Sequence, residues 1–94
     1  RGLGASWEDV ESLVGVIRSA EGTELAVLFK VYSEDSVKLS LRSRGRVSAQ
    51  NIAIALGGGG HVAAAGVTVN ASYVETRARF ELEALKEFSR VGMG

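Results

Sequence analysis

The sequence has no cysteine, a single histidine and only two aspartates, Asp9 and Asp35, among its 94 residues. Without cysteine it has neither a disulfide framework nor a thiolate metal site. One histidine and two distant aspartates cannot build the cluster of carboxylates and imidazoles that a metal-dependent hydrolase needs. No carboxylate lies near His61 in the sequence to complete a nucleophilic triad. The chain by itself therefore indicates a binding domain.

Long apolar runs are also missing. The apolar stretches are far shorter than a membrane span, and the N-terminus lacks the pattern of a signal peptide. Together with the absence of cysteine, this predicts a cytoplasmic protein without a membrane partner. The content of 46% hydrophobic and 23% charged residues is that of one small folded domain, residues 1–94. Because the chain starts at Arg1 without an initiator methionine, we expect it to be a fragment of a longer protein.

Acidic residues are absent from the whole middle of the chain. The formal net charge is zero, yet residues 36–74 contain no aspartate or glutamate. The same stretch carries Lys38, Arg42, Arg44 and Arg46. Such a stretch favours an anionic ligand. Chance clustering of surface charge is the alternative.

Patterns in the first half predict a helix and two strands. Ser6 and Asp9 resemble a capping box, and apolar residues at helical spacing follow, which predicts a helix over residues 7–18. Residues 25–32 are nearly all apolar and predict a strand buried on both faces. Residues 33–36 form a polar connection of the length that joins antiparallel strands.

The second predicted strand, residues 37–43, has one dry and one polar face. Apolar residues at 37, 39 and 41 alternate with Lys38, Ser40 and Arg42, and Arg44 continues the polar row. Arg42 is the better bidentate donor to a phosphate, whereas we expect Lys38 and Arg46 to be solvated.

The second half contains two capped helices. Ser48 is a good N-cap for a short helix over residues 49–56, which Gly57 ends. Ser72 and Glu75 form a capping box that opens a long helix over residues 73–91. That helix carries two adjacent rows of apolar side chains, a wider apolar face than a core-facing helix usually has. Either part of this face contacts a partner protein, or the face covers one side of a small sheet. Residues 66–70 predict another strand with Val67 and Val69 facing inward.

These elements predict a fold class of α/β (α+β). We expect a single small domain with a mixed β-sheet of about three to five strands, flanked by helices and ending in a long C-terminal helix.

A glycine-rich segment occupies the centre of the chain. Gly57 to Gly60 precede His61, and residues 63–65 are alanines. Glycine backbone exposes N–H groups that bind a phosphate, and a helical turn of the alanines would direct further N–H groups to the same spot. This pattern predicts an anion or nucleotide cradle; a flexible loop beside a structural histidine is the alternative. It is neither a P-loop nor a dinucleotide fingerprint.

This segment and residues 37–43 resemble the signature of the DHH-associated C-terminal domain of DHH-family phosphoesterases. The matching residues are Gly58-Gly59-Gly60-His61-Val62-Ala63-Ala64-Ala65-Gly66 and Val37-Lys38-Leu39-Ser40-Leu41-Arg42-Ser43. The closest resemblance is to the bacterial oligoribonuclease (nanoRNase) and 3'-phosphoadenosine-phosphate phosphatase branch. Val67 replaces an aromatic residue that is common in relatives, which is a conservative difference.

The resemblance implies a division of labour. An N-terminal DHH domain of the same chain would hold two divalent ions, Mn or Mg, while this domain grips short RNA or a phosphonucleotide; a homodimer of the parent chain is also open. Carried over by position, substrate contacts fall on Arg42, Ser43, Gly58, Gly59, Gly60 and His61. We assign His61 phosphate binding, with assistance to the leaving oxygen as a further option, because a nearby phosphate favours its doubly donating form. The resemblance places no metal ligand in this fragment, which we expect to be inactive alone.

Three other interpretations are consistent with parts of this pattern. A RecJ-type single-strand exonuclease and a cyclic-dinucleotide phosphodiesterase carry related domains and would bind different ligands. The non-catalytic RNA-binding and association domain of alanyl-tRNA synthetases is the third, but its glycine motif usually lacks the ending found here.

Overall fold

The fold is an antiparallel sheet with two helices, as a computed structural model describes it for residues 11–18 and 22–92. The elements are β1 (Glu11–Arg18), β2 (Glu24–Ser33), β3 (Ser36–Arg44), α1 (Ala49–Ala55), β4 (Gly59–His61), β5 (Ala64–Val69) and α2 (Tyr73–Arg90). The strand order is β1-β2-β3-β5-β4. The predicted α/β class and long C-terminal helix are confirmed. All described strand pairings are antiparallel, so the sheet is not mixed.

The predicted first helix is wrong where the structure describes it. Glu11–Arg18 is a strand that pairs with β2 along its length, from Glu11 opposite Val31 to Arg18 opposite Glu24. Residues 6–10, which include both predicted cap residues, Ser6 and Asp9, lie outside the described residues. The apolar positions of this segment fit both periods, and its valines and isoleucine favour extended backbone. Pairing with β2 therefore decides between helix and strand.

The second strand buries one face and not both. Leu25, Val27, Phe29 and Val31 are at most 6% exposed. The alternate positions of β2 are half-buried or exposed. The two-sided burial predicted for β2 is therefore wrong, because both described helices pack on the same side of the sheet. Phe29 makes edge-on ring contacts there with Tyr73 and Phe80 of α2, each at 5.5 Å between ring centroids.

The third strand has the predicted alternation. Val37, Leu39 and Leu41 have no exposed surface, whereas Lys38 and Arg42 are exposed. The connection from β2 to β3 is the predicted antiparallel turn. The next predicted strand is also confirmed, with Val67 and Val69 of β5 buried in the core.

Both predicted helix caps are confirmed. The Ser48 hydroxyl accepts from the Asn51 N–H, and the Ser72 hydroxyl accepts from the Glu75 N–H, each at 3.1 Å. Gly57 follows α1 in the left-handed region, with φ of +102°. Arg77 and Glu81, four residues apart on α2, form an ion pair at 2.9 Å.

Only one of the two apolar rows of α2 is buried. Phe80, Ala84 and Phe88 lie in the core, whereas Leu82 and Leu85 are 52% and 62% exposed. One row is enough to cover this small sheet. Within the described part of the chain, no helix is long and apolar enough to cross a membrane.

Candidate functional site

The glycine-rich segment folds as a narrow hairpin. Residues Gly59–His61 form β4, residues 62 and 63 form the turn, and Ala64–Val69 forms β5. The predicted helical turn of alanines is therefore wrong, because Ala64 and Ala65 are the first residues of a strand that pairs with both β3 and β4. Backbone pairing on both sides of β5 satisfies peptide groups that a single helical turn would leave unpaired.

The three central glycines meet different surroundings. A Cβ atom on Gly58 would overlap the Gly66 carbonyl oxygen and lie 2.5 Å from the Val67 Cβ. Gly60 has φ of +143°, and its Cβ would lie 2.5 Å from the Ala65 Cα. A Cβ on Gly59 would meet no atom within 4 Å among the described residues. Gly58 and Gly60 are therefore required by the close approach of β5, whereas Gly59 borders open space.

Gly58→Ala should destabilise the domain much more than Gly59→Ala. Overpacking against backbone costs about 1–3 kcal/mol, which lowers the melting temperature of a domain of this size by roughly 4–24 °C. Gly59→Ala should stay within about 0.5 kcal/mol, as surface substitutions do. Thermal unfolding followed by circular dichroism measures both variants. Equal melting temperatures would show that β4 does not approach β5 as closely as described.

The start of α1 holds the hairpin in place. The Ala49 N–H donates to the Val62 carbonyl at 2.8 Å, and the Gln50 side-chain amide donates to the Gly60 carbonyl at 2.8 Å. The Ser43 hydroxyl donates to the Val62 carbonyl at 2.9 Å and accepts from the Ala49 N–H at 3.2 Å. Ser43 therefore joins the end of β3, the start of α1 and the hairpin turn.

A buried carboxylate on α2 lies behind the start of α1. Glu87 is 4% exposed and accepts from the Ser48 N–H at 2.8 Å and from the Asn51 side-chain amide at 3.2 Å. Arg90 donates to both of its oxygens, at 2.9 and 2.6 Å. The Arg90 hydrogen bond holds the pKa of Glu87 below its ordinary value, against burial, which raises it. The Ser48 and Asn51 bonds also lower this pKa.

Acid should weaken the fold partly through Glu87. Because its pKa is lower in the folded protein, its contribution to stability is complete above the unfolded value of about 4.5 and is lost as the pH falls through the folded value. We expect a flatter decline of the free energy of unfolding below pH 4.5 in Glu87→Gln than in the unmodified protein. Urea unfolding at several pH values measures it. Glu83→Gln, on the same helix, is the control that should retain the steeper decline, and identical curves for all three proteins would contradict the assignment.

Strand register brings two of the predicted site residues to the sheet surface opposite α1 and α2. Neither helix of the described residues covers this surface, which we call the helix-free face. His61 pairs with Ala64, and Ala64 pairs with Arg42. Paired residues of antiparallel strands direct their side chains to the same face. Two strand spacings of about 4.8 Å put the Arg42 and His61 backbones roughly 10 Å apart. Both side chains are exposed, so they can converge on one ligand between them.

Small residues make up the sheet surface beside these two side chains. We call this surface, formed by Gly59, Ala64 and Gly66, the floor. Gly59 pairs with Gly66. This pair lies on the same face of the sheet as the His61–Ala64 pair, two residues farther along both strands. A Cβ on Gly66 would meet only the Leu39 carbonyl oxygen, at 3.4 Å, among the described residues. The helix-free face is therefore flat and open at Gly59, Ala64 and Gly66, where a ligand can approach the backbone.

The remaining predicted site residues build the hairpin. Ser43 is hydrogen-bonded toward α1, and the Gly58 N–H donates to the Ala53 carbonyl at 2.7 Å. Both groups are therefore occupied in holding α1 and the hairpin together. Gly60 pairs with buried Ala65, so it lies on the face of the sheet that the helices cover.

A shallow cavity of about 180 Å³ lies where β2 and β3 meet beside Arg42. Its lining residues are Glu24, Ala26, Arg42, Ser43 and Arg44. The Arg44 Nη2 atom lies 4.0 Å from the Glu24 Oε1 atom. The Arg42 guanidinium forms no ion pair within the described residues, and its hydrogen bond there is a long one of 3.4 Å to the Leu41 carbonyl. Arg42 is therefore available to an anionic ligand.

Sequence reasoning missed Gln50 and Glu87. Gln50 shows no distinguishing signal, because it is an ordinary polar residue of a short helix. Glu87 shows one, since it follows Ala84 of the buried row of α2 by three residues and therefore lies beside that row. A carboxylate in that position needs buried partners. The described residues contain no group of three His, Cys, Asp or Glu side chains that could hold a metal ion.

Comparisons with known proteins identify the family of this chain. The DHHA1 domain family matches residues 1–90. The chain is 49% identical over 80 residues to the bifunctional oligoribonuclease and PAP phosphatase NrnA of Thermus thermophilus, which covers 85% of this chain. The chain spans about a quarter of that relative, 24% of its length. The match over nearly the whole chain confirms the predicted resemblance: this chain belongs to the DHHA1 domain family, the DHH-associated domain of DHH-family phosphoesterases.

Proposed function

We propose that this domain binds substrate for a DHH-family phosphoesterase. It grips the phosphate and nucleotide of a short oligoribonucleotide or of 3'-phosphoadenosine 5'-phosphate, and a DHH domain of the same chain hydrolyses the phosphoester. The observation that carries this proposal is the pair of exposed side chains, Arg42 and His61, on either side of a floor without large side chains.

Each part of the site has a separate task. Arg42 offers a planar fork of N–H donors that matches two phosphate oxygens. His61, when protonated, adds a second cation with a directional donor. Gly59 leaves the backbone of β4 open to the ligand. The segment of the chain without acidic residues, 36–74, spares the phosphate a repulsive neighbour in sequence.

Metal chemistry is assigned to the DHH domain. The described residues of this chain offer no cluster for a metal ion, so they do not fit the two divalent ions, Mn or Mg, that we expect in the parent enzyme. This domain contributes binding and orientation, which bring the phosphoester to a centre located elsewhere.

The identity to NrnA favours an oligoribonuclease or PAP phosphatase over the other readings. A RecJ-type exonuclease and a cyclic-dinucleotide phosphodiesterase are alternatives that differ in ligand. A non-catalytic RNA-binding and association domain like that of alanyl-tRNA synthetase is an alternative that differs in function. A cytoplasmic location and a homodimer of the parent chain are part of the proposal.

The division of labour has a direct test. We expect this chain to hydrolyse neither dinucleotides nor 3'-phosphoadenosine 5'-phosphate, with or without added manganese, because its described residues contain no group that could hold a metal ion. The parent chain that includes a DHH domain should turn over both types of phosphoester in the same assay. The matched control is this chain with His61→Ala, which removes any contribution of its own histidine. Manganese-dependent hydrolysis by the purified domain that His61→Ala abolishes would contradict the proposal.

A further inference from the structure

We infer that Glu87 is a positioning residue for the candidate phosphate site, acting through the N-terminus of α1 on the β4–β5 hairpin. This inference rests on the proposed function, since it concerns the hairpin that carries His61. Glu87 itself lies on α2, on the helix-covered side of the sheet, and does not face the ligand floor.

The first step is the contact between Glu87 and α1. The first turn of α1 contains no acidic residue, although a helix N-terminus favours a negative charge. Glu87 supplies that charge from α2, because one of its oxygens accepts the Ser48 N–H and the other accepts the Asn51 side-chain amide. Arg90 fixes the orientation of the carboxylate from its other side.

The second step is the contact between α1 and the hairpin. The two residues directly after Ser48 donate to the carbonyls of Val62 and Gly60, and the Ser43 hydroxyl of β3 is a second donor to Val62. β4 has three residues and, among the described strands, lies at the edge of the sheet and pairs only with β5. A strand this short gains little from its own pairing. The position of the hairpin therefore depends on α1.

The third step is the effect on the ligand. His61 is the last residue of β4, next to the turn that Ala49 holds. A displacement of about 1 Å in a binding group is enough to lower activity markedly. Loosening Glu87 should therefore weaken substrate binding without touching the metal centre, so that KM changes and kcat does not.

The experiment uses the full-length parent protein with dinucleotide hydrolysis and hydrogen exchange by mass spectrometry. Glu87→Gln keeps the shape of the side chain and removes its charge. We expect KM to rise about tenfold, kcat to stay within about twofold, and exchange of the peptide covering residues 57–66 to accelerate at least about fivefold. Glu83→Gln, the same substitution one turn earlier on α2 beside Lys86, should change none of these quantities.

A second variant keeps the test decisive if Glu87→Gln fails to fold. Arg90→Gln removes the donors that fix the carboxylate while Glu87 remains, and it should raise KM and hairpin exchange in the same direction. The inference is overturned if the folded variants leave KM and exchange unchanged, or if they lower the melting temperature alone. His61→Ala is assayed in parallel. Unchanged KM in His61→Ala contradicts the proposed function, whereas raised KM there with unchanged KM in the Glu87 and Arg90 variants contradicts only the positioning role.

Discussion

Gly59→Val is expected to abolish phosphate binding while the domain stays folded. A Cβ atom on Gly59 would meet no described atom within 4 Å, so the substitution starts from open space in the folded protein. Gly59 is also outside the left-handed region that the structure records for Gly57 and Gly60, which removes a conformational reason for strain. The added isopropyl group would instead stand on the floor beside His61, in the row next to the one that joins Arg42, Ala64 and His61, and keep a phosphate away from the backbone.

The measurement is a titration of the parent protein with a short 5'-phosphorylated oligonucleotide at one fixed salt concentration, because phosphate contacts are screened by salt. Thr68→Val is the matched control, since it puts the same side chain at an exposed position of β5 away from the floor. Circular dichroism checks that both variants are folded. If Gly59→Val binds as tightly as Thr68→Val, the ligand does not approach β4 and the proposed site is wrong.

His61→Ala and Arg42→Ala should each weaken binding roughly ten- to a hundred-fold. Each substitution removes charge-assisted hydrogen bonds, which are worth about 1.5–3 kcal/mol. The same loss should appear in kcat/KM of the parent enzyme. Because both side chains are proposed to hold one phosphate group, the double variant should lose less than the sum of the two single losses. Additive losses would indicate two separate anion contacts.

Lys38→Ala and Arg46→Ala are the controls for charge. Lys38 lies on the same strand and face as Arg42, four residues away, which is about 13 Å along the strand. Arg46 is exposed beyond the end of β3. Both substitutions remove one positive charge, as Arg42→Ala does, and both should change affinity much less. Normal binding by His61→Ala and Arg42→Ala together with a failure of Lys38→Ala would place the site elsewhere on the sheet.

The family and several elements could be predicted from short sequence signals. Ser48 and Ser72 mark helix starts because their hydroxyls satisfy nearby N–H groups, a property of four consecutive residues. The period-two pattern of β3 predicts its buried face because adjacent side chains of a strand point in opposite directions. The glycine-histidine motif indicates the DHH-associated domain, and the comparisons confirm it.

The site residues could be predicted only as a set. The motif selects Arg42, Ser43, His61 and the glycines together, and their roles as phosphate contacts stay predictions. Their arrangement depends on register, because pairing of β3 with β5 and of β5 with β4 puts Arg42 and His61 in one row while Ser43 turns toward α1. The register between three strands cannot be predicted from any local sequence pattern, because it depends on residues that are distant in the sequence.

Tertiary structure alone decided β1, the hairpin and Glu87. Apolar spacing in residues 11–18 fits helix and strand alike, and pairing with β2 selects the strand. The glycine segment becomes a hairpin because β5 can pair on both of its sides. Glu87 is separated from Ser48 by 39 residues, yet its buried carboxylate needs that N–H because an unpaired buried charge is costly. Short-range signals determine where capped helices and alternating strands begin, whereas backbone pairing and burial between distant segments determine which residues meet.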